Sequence, residues 1–539
     1  MRWLREFVRN CLISSIAVLF AATALSGMAI SQELDVPLPD GTAEEAGTEG
    51  EEPEQVNVEE VIKQGEEALA AKEYEKALEI YTKLQQGLQQ SLEHRQFLPI
   101  AWTGLGRALA GLQEYQAAEE LFRQAIEGSE NFIDAYLARG EMYLDMGAPA
   151  NALPDFEKAV ELDRTNLRGQ FGLGKTYTLG QAYPQAIGPL TRVIAVQPEH
   201  AEAYRLRGTS YVGSFQTEKG IADLQQAISI NPNDHENHFM LGVAYLRDEK
   251  YSESVESFSR AISNYVPKPG EEDQPYLQGY LTRASAYIEM GKNAEEVAAK
   301  REAYQKALED AEYLLGELDE RSPITAGARA AALFSRGVAE RMLGDFGKAV
   351  QSFSDAINLN PEMAEAYFRR GICFHNMGET KMAIADFAQA GDLQFEDPRA
   401  NFWEGLMHAK LGDYHEALRA YGDALAASDR YEPAYYNRGL AYLMLGENEK
   451  AIRDFNHAIR IEPSRAEYYF QRGVAQRRMG DIEAASASFA NAIEFEDNYI
   501  AAYRHMADVM EEMGRAELAR EYREKADQLA PPPEQQSAQ

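Results

Sequence analysis

Residues Gly169 to Thr176 read Gly-Gln-Phe-Gly-Leu-Gly-Lys-Thr and match G-x-x-x-x-G-K-[ST]. In that pattern the backbone N–H groups of a strand-to-helix turn cradle phosphates, and the lysine reaches the outermost ones. His235 and His238 lie three residues apart, close to the spacing that turns two imidazoles toward one metal, but short of the H-E-x-x-H of zinc hydrolases. Cys11 and Cys373 are the only thiols, so no disulfide framework or cysteine-rich metal site is available. Nucleophile elbows and the His-Pro-Asp tripeptide of J-domains are absent, and carboxylates are too numerous for any pair to stand out. The elements around these residues decide what each one does.

Those elements repeat. Glycine recurs every 34 residues at Gly140, Gly174, Gly208 and Gly242, then at Gly337, Gly371, Gly405, Gly439 and Gly473. A fixed period of this length marks an array whose units bury a core by stacking on their neighbours. In the block from Pro433 to Pro463, small residues fall at Gly439, Ala451 and Ala458, and large ones at Tyr435, Tyr442 and Phe455. Such spacings place each set on one face of a helix. Gly446 reads as the stop of a first helix and Glu462-Pro463 as the stop of a second, so the unit is an antiparallel helical hairpin.

The same small residue returns in the second helix at Ala77, Ala118, Ala152, Ala186, Ala307, Ala349, Ala383, Ala417, Ala451, Ala485 and Ala519, with Gly220 and Ser254 in two further units. A closing proline stands at Pro198, Pro232, Pro361, Pro463 and Pro531. This chain resembles the tetratricopeptide repeat family, with thirteen units over about 57–530. The resemblance implies an all-α fold, an α-solenoid coiled as a right-handed superhelix of antiparallel hairpins.

Breaks in the period suggest the organisation. The first unit is long by seven residues (Gly65 to Gly106), which predicts a second helix extended through 85–94. Three prolines and an acidic cluster at 267–275 read as a linker between an array at 57–266 and another at 276–530. Unit seven carries an insertion near 293–301. Arg523 replaces the aromatic of earlier units, as suits a last repeat with no successor. The tail, 531–539, reads as disordered.

Arg2, Arg5 and Arg9 precede an apolar run from Cys11 to Ile30. A cleaved secretory signal over 1–31 and a retained N-terminal membrane anchor both fit this pattern. Ser14, Ser15, Thr23 and Ser26 dilute the run and favour cleavage. Either way the arginines keep the N-terminus inside and send the repeats across, to an extracytoplasmic or periplasmic location. The next stretch, 32–61, holds eleven acidic residues and no Lys or Arg, which marks 32–56 as a disordered linker. The net charge of −34 repels phosphate backbones and argues against a nucleic-acid partner.

Placed on the array, the chemical motifs lose their force. Gly174 is the in-phase glycine of unit four, so Lys175 and Thr176 fall mid-helix with their backbone donors already used. His235 and His238 fall at a helix start. Cys373 occupies the slot of Ala339, Ala441 and Ala475, a packed position. No catalytic residue, metal, nucleotide or cofactor is assigned.

The family likeness implies a concave groove lined by the helix-A residues that follow the aromatic and the glycine. In the second array these are Phe334, Phe368, Phe402, Tyr436 and Phe470, with Val338, Ile372, Leu406, Leu440 and Val474. Family members that clamp a C-terminal carboxylate carry Lys and Asn there, so that use is excluded. The expected function is a non-catalytic scaffold or adaptor binding protein or peptide segments in this groove. A holdase for exported chains is the alternative, and a nucleotide-binding enzyme using 169–176 stands behind it. The oligomeric state is not encoded in any of these features.

Overall fold

A computed structural model describes residues 58–90, 94–267, 275–319, 325–393 and 397–530. The apolar N-terminal run, the acidic segment to residue 57, most of the proline-rich stretch and the tail lie outside them, and so do the expectations attached to those segments. Among the described residues the chain is all-helical, with 26 α-helices that run as thirteen successive A–B pairs along the chain and one 3-10 turn at Arg95–Phe97. No helix there is long and apolar enough to cross a membrane.

Contacts gather the described residues into two compact bodies, divided between Met290 and Gly291. The division falls inside helix A of repeat 7 (Leu277–Asn293). Repeats 1 to 6 lie in the first body, and repeats 8 to 13 in the second.

Repeat 11 shows how a unit forms. Helix A runs Glu432–Met444 and helix B Asn448–Ile461, with Gly446 between them at φ +77°. Helix B stops where Glu462 leaves helical geometry before Pro463. The two helices lie so close that a Cβ on Gly439 would sit 2.7 Å from the Phe455 ring. The approach recurs at Gly337 on Phe353 and Gly371 on Phe387, each at 2.8 Å. These rings are wholly buried, and so are Ala451 and Ala458 on the same helix B face. Where unit six replaces the second-helix alanine with Ser254, its hydroxyl donates to the Gly242 carbonyl at 2.8 Å, satisfying a buried polar group locally.

A charged clamp adds to this packing. Arg139 donates to Asp155, Arg207 to Asp223, Arg370 to Asp386 and Arg438 to Asp454, each with two hydrogen bonds of 2.7–2.9 Å from helix A to helix B. Each pair is 16 residues apart, the same separation as the glycine and the large side chain they flank, a Phe in three of them and Leu224 beside Arg207 and Asp223. The planar guanidinium fork suits this bidentate geometry and leaves a largely buried carboxylate paired.

The bodies differ at the A–B turn. In the second body Gly344, Gly378, Gly412, Gly446, Gly480 and Gly514 take the left-handed conformation. In the first body Gly147 does the same in repeat 3, while Lys72, Gln113, Gln181, Phe215 and Glu249 hold the turn at φ 59–67° in the other five repeats. Side chains adopt this region at a cost of roughly 1 kcal/mol.

The irregular repeats follow their sequence signals in part. Helix B of repeat 1 runs Tyr74–Gln90, 17 residues, and ends before His94. In repeat 7 the inserted residues lengthen helix B to Val297–Glu317. Arg523 in the last helix (Ala516–Leu529) is exposed and pairs with Glu511.

Two substitutions test this account by urea unfolding. Gly371→Ala drives a methyl into the buried Phe387 ring and lowers stability by about 1–3 kcal/mol. Gln181→Gly relieves the left-handed turn and raises stability by roughly 1 kcal/mol.

Candidate partner-binding stripe

Helix A of repeat 4 (Leu167–Leu179) contains the whole of Gly169–Thr176. Asn166 caps it, its side chain accepting from the Gly169 N–H at 2.8 Å. The glycines serve packing: a Cβ on Gly172 would run into the Phe156 ring, and one on Gly174 would lie 2.5 Å from Leu190. Lys175 pairs with Glu202 at 3.0 Å, and Thr176 donates to the Gly172 carbonyl. No free backbone donors face a cavity here, so the segment is a helix interior.

The two histidines separate. Buried His238 meets the Pro232 carbonyl at 2.8 Å through Nε2, while the His235 ring packs edge-on against Tyr265 and Tyr276. Among the described residues no group of three or more His, Cys, Asp or Glu is arranged to hold a metal. Cys373 is fully buried, and burial pushes its thiol up to about 11, away from the reactive thiolate.

The ten stripe residues come from the helix A elements of repeats 8 to 12, namely Ala326–Leu343, Ala364–Asn376, Pro398–Leu411, Glu432–Met444 and Ala466–Arg478. Each pair lies at i and i+4, hence on one helix face. The aromatic row does double duty. Phe334, Phe368, Phe402, Tyr436 and Phe470 tilt onto Phe353, Phe387, Tyr421, Phe455 and Phe489 of their own helix B, with centroids 5.7–6.0 Å apart. The outer faces of four are capped: the Arg399 guanidinium lies over Phe368, Tyr431 against Phe402, Tyr468 against Tyr436, and Tyr499 against Phe470. Phe368 and Phe470 are consequently buried, at 8% exposure each, and the other three rings half-buried. Accessible apolar surface is shared between those three rings and the aliphatic row, Val338, Ile372, Leu406, Leu440 and Val474, all half-buried.

Corresponding helices of the first body carry charge. Arg107 pairs with Glu66 at 2.8 Å, Arg168 with Glu141 at 2.6 Å, Lys175 with Glu202 at 3.0 Å and Arg205 with Glu236 at 2.8 Å. These ladder rungs join helix A of repeat 1 to repeat 2, and then the helix A elements of repeats 3 to 6 in succession. Two of them, Glu141–Arg168 and Lys175–Glu202, are 27 residues apart. At that separation the second body has Val338 and Glu365, or Ile372 and Arg399, so no rung forms. Opposite charges at a spacing of 27 are a readable signal that the repeat period conceals.

A further ridge escapes the periodic pattern. Met377, Leu411, Met444 and Met479 stand exposed beside the A–B turns, Met444 at 59%. Methionine's unbranched, polarizable side chain adapts to varied partners.

The fold and its apolar stripe define a helical-repeat protein-interaction scaffold. Models described as "Tetratricopeptide repeat" match residues 103–166, 205–271, 334–394, 377–433, 433–465 and 466–499. This chain belongs to the tetratricopeptide repeat family. Similar proteins include the Mus musculus protein O-mannosyl-transferase TMTC3, 40% identical over 62 residues, which are 12% of this chain and 7% of that protein. Homo sapiens tetratricopeptide repeat protein 6 is 25% identical over 187 residues, covering 28% of this chain and 36% of the relative. The chain thus spans only a minor part of these relatives. Among solved structures, MamA is similar at 27% identity with a TM-score of 0.29, covering 30% of this chain and 94% of that one.

Gly172 separates the two readings of the 169–176 segment, because it is an unconstrained position in the phosphate-loop pattern but a packing position here. Gly172→Ala lowers the urea midpoint, with a loss of about 1–3 kcal/mol. Lys175→Ala costs less than about 1 kcal/mol, as suits a partly exposed ion pair. Calorimetric titration with Mg-ATP shows no saturable heat.

Proposed function

We propose that the chain is a non-catalytic scaffold that docks segments of partner proteins along the helix-A stripe of repeats 8 to 12. The observation carrying this reading is the aliphatic row from Val338 to Val474, half-buried and unpaired with charge across five consecutive helices. An extended or helical partner segment gains by inserting apolar anchors into such a row. The stripe is preformed by rings locked onto helix B, which spares one side of the interface its ordering cost. The first body, with its helix-A charges already neutralised by one another, offers no comparable apolar track.

The N-terminal arginines and apolar run support export across a membrane, with the repeats outside the cytoplasm, released by cleavage or held by the retained segment. Similarity to an O-mannosyl-transferase spans 62 residues, 7% of that protein, and supports no transferase activity in this chain. Partners are proteins or peptides, and the acidic charge disfavours nucleic acid. The exposed methionine ridge favours a second reading, a holdase with loose sequence preference.

Because Phe368 and Phe470 are structural, the test uses the aliphatic row. Leu406→Glu with Leu440→Glu keeps the helical circular-dichroism signal and weakens capture of an envelope partner by about a hundredfold, as a charge opposed to apolar anchors requires. Retention of the same partner by the variant places binding elsewhere. A broad spread of captured clients, with suppressed aggregation of an unfolded substrate, supports the holdase.

A further inference from the structure

We propose that Arg341 is a charge anchor for an acidic side chain of the docked segment, so that the segment recognised is apolar with one Asp or Glu over repeats 8 and 9. This rests on the stripe being the docking surface.

Phe334, Val338 and Arg341 lie at i, i+4 and i+7 of one helix A, which aligns the guanidinium with the stripe. Arg341 is half-buried, and its Nε is buried without an acceptor. Its Nη2 reaches only the Met342 sulfur, at 3.2 Å, a weak acceptor. Arg369 repels it from the next helix A. Glu365, the acid that acts on it, is already held by Arg369 at 2.7 Å and Arg399 at 3.3 Å. Burial, with that repulsion, holds Arg341 below the usual arginine range. Among the described residues no carboxylate comes within ion-pair distance of it.

The array itself shows what an arginine at this register takes. Arg477 stands 136 residues further on, four periods of 34, and donates to Asp508 at 3.2 Å and Glu512 at 2.6 Å in the following helix A (Ile500–Glu512). The places 136 residues before those acids hold Ile372 and Asn376. Asn376 turns its amide to the Ile372 carbonyl at 2.7 Å. The counter-charge supplied within the chain at repeats 12 and 13 is thus missing at repeats 8 and 9, beside the surface a partner would cover. A half-buried guanidinium without a carboxylate is unfavourable, and a partner carboxylate would satisfy it through charge-assisted hydrogen bonds. Apolar residues continue on either side, from Phe334 and Val338 to Ile372 and Leu406. A segment that fills both the pair on Arg341's own helix and those on the next two helices passes beside the guanidinium, which commits the anchor to a side-chain carboxylate, and the blocked termini of the test separate it from a chain end.

The test selects a random twelve-residue peptide library, blocked at both termini, on the full chain and on Arg341→Gln. The full chain enriches apolar peptides with one Asp or Glu at a fixed place, whereas Arg341→Gln keeps the apolar enrichment and loses the acid. In a selected peptide, Glu→Gln weakens binding to the parent by about tenfold and to Arg341→Gln by less than about twofold, read by fluorescence anisotropy. The substitution removes an unpaired charge, so the variant stays folded, which its circular dichroism checks. Apolar enrichment without acid, or acid enrichment that survives Arg341→Gln, overturns the anchor and leaves the stripe standing. Acid selection that appears only with free C-termini also overturns it. Failure to enrich apolar peptides at all removes the stripe reading, and the anchor with it.

Discussion

The structure depends on how closely helix A approaches helix B. At Gly371 or Gly439 there is no room for a methyl group, because a fully buried aromatic ring of helix B fills the space above the glycine. That contact sets the interhelical distance, and the buried alanines of helix B keep the same face small enough to accept it. Once the distance is set, an arginine one residue before the glycine meets an aspartate one residue before the ring, and the clamp from Arg370 to Asp386 closes. The residue three before the glycine then tilts onto the same ring. The stripe is therefore a by-product of the packing: every aromatic of its row rests on a helix B ring, Phe368 and Phe470 are buried in the core, and the aliphatic row is half-buried throughout.

With one scaffold, the two bodies use the same helix face for different ends. Charges in the first body bridge consecutive helix A elements and neutralise one another, as Arg107 does with Glu66 and Arg205 with Glu236. Such half-exposed pairs contribute little stability, each about 0.2–1 kcal/mol, but they leave no apolar track. In the second body the stripe positions hold Val, Ile and Leu, and charge pairs between consecutive helix A elements lie beside them, as Arg399 does with Glu365 and Arg477 with Asp508 and Glu512. Their turns differ as well. Glycine takes the left-handed position throughout repeats 8 to 13, while in the first body only repeat 3 has it, at Gly147, and Lys72, Gln113, Gln181, Phe215 and Glu249 bear it in the other five.

Much of this was legible because the repeat makes the chain its own alignment. Gly446 as a helix stop, Ser254 as a tolerated small residue and Gly174 as a packing glycine follow from phase alone, and phase dismissed the phosphate-loop match. Features that lie off the 34-residue period were harder to read. The Arg–Asp clamps span 16 residues and two ladder rungs span 27, distances that follow from hairpin geometry and not from the repeat. Burial of Phe368 and Phe470 was hidden too, since it comes from Arg399, Tyr499 and the helix B rings rather than from the residues themselves.

By itself the sequence determined the hairpin, the number of repeats and the register of every helix face, because small and large residues at helical spacing allow only one way of stacking. Tertiary structure decided which side chains on those faces remain available. Availability depends on neighbours far apart in the chain: whether Arg341 meets an acid, as Arg477 does, turns on residues in the next helix. Periodicity names the face, while the charges and rings brought against it settle what it can hold.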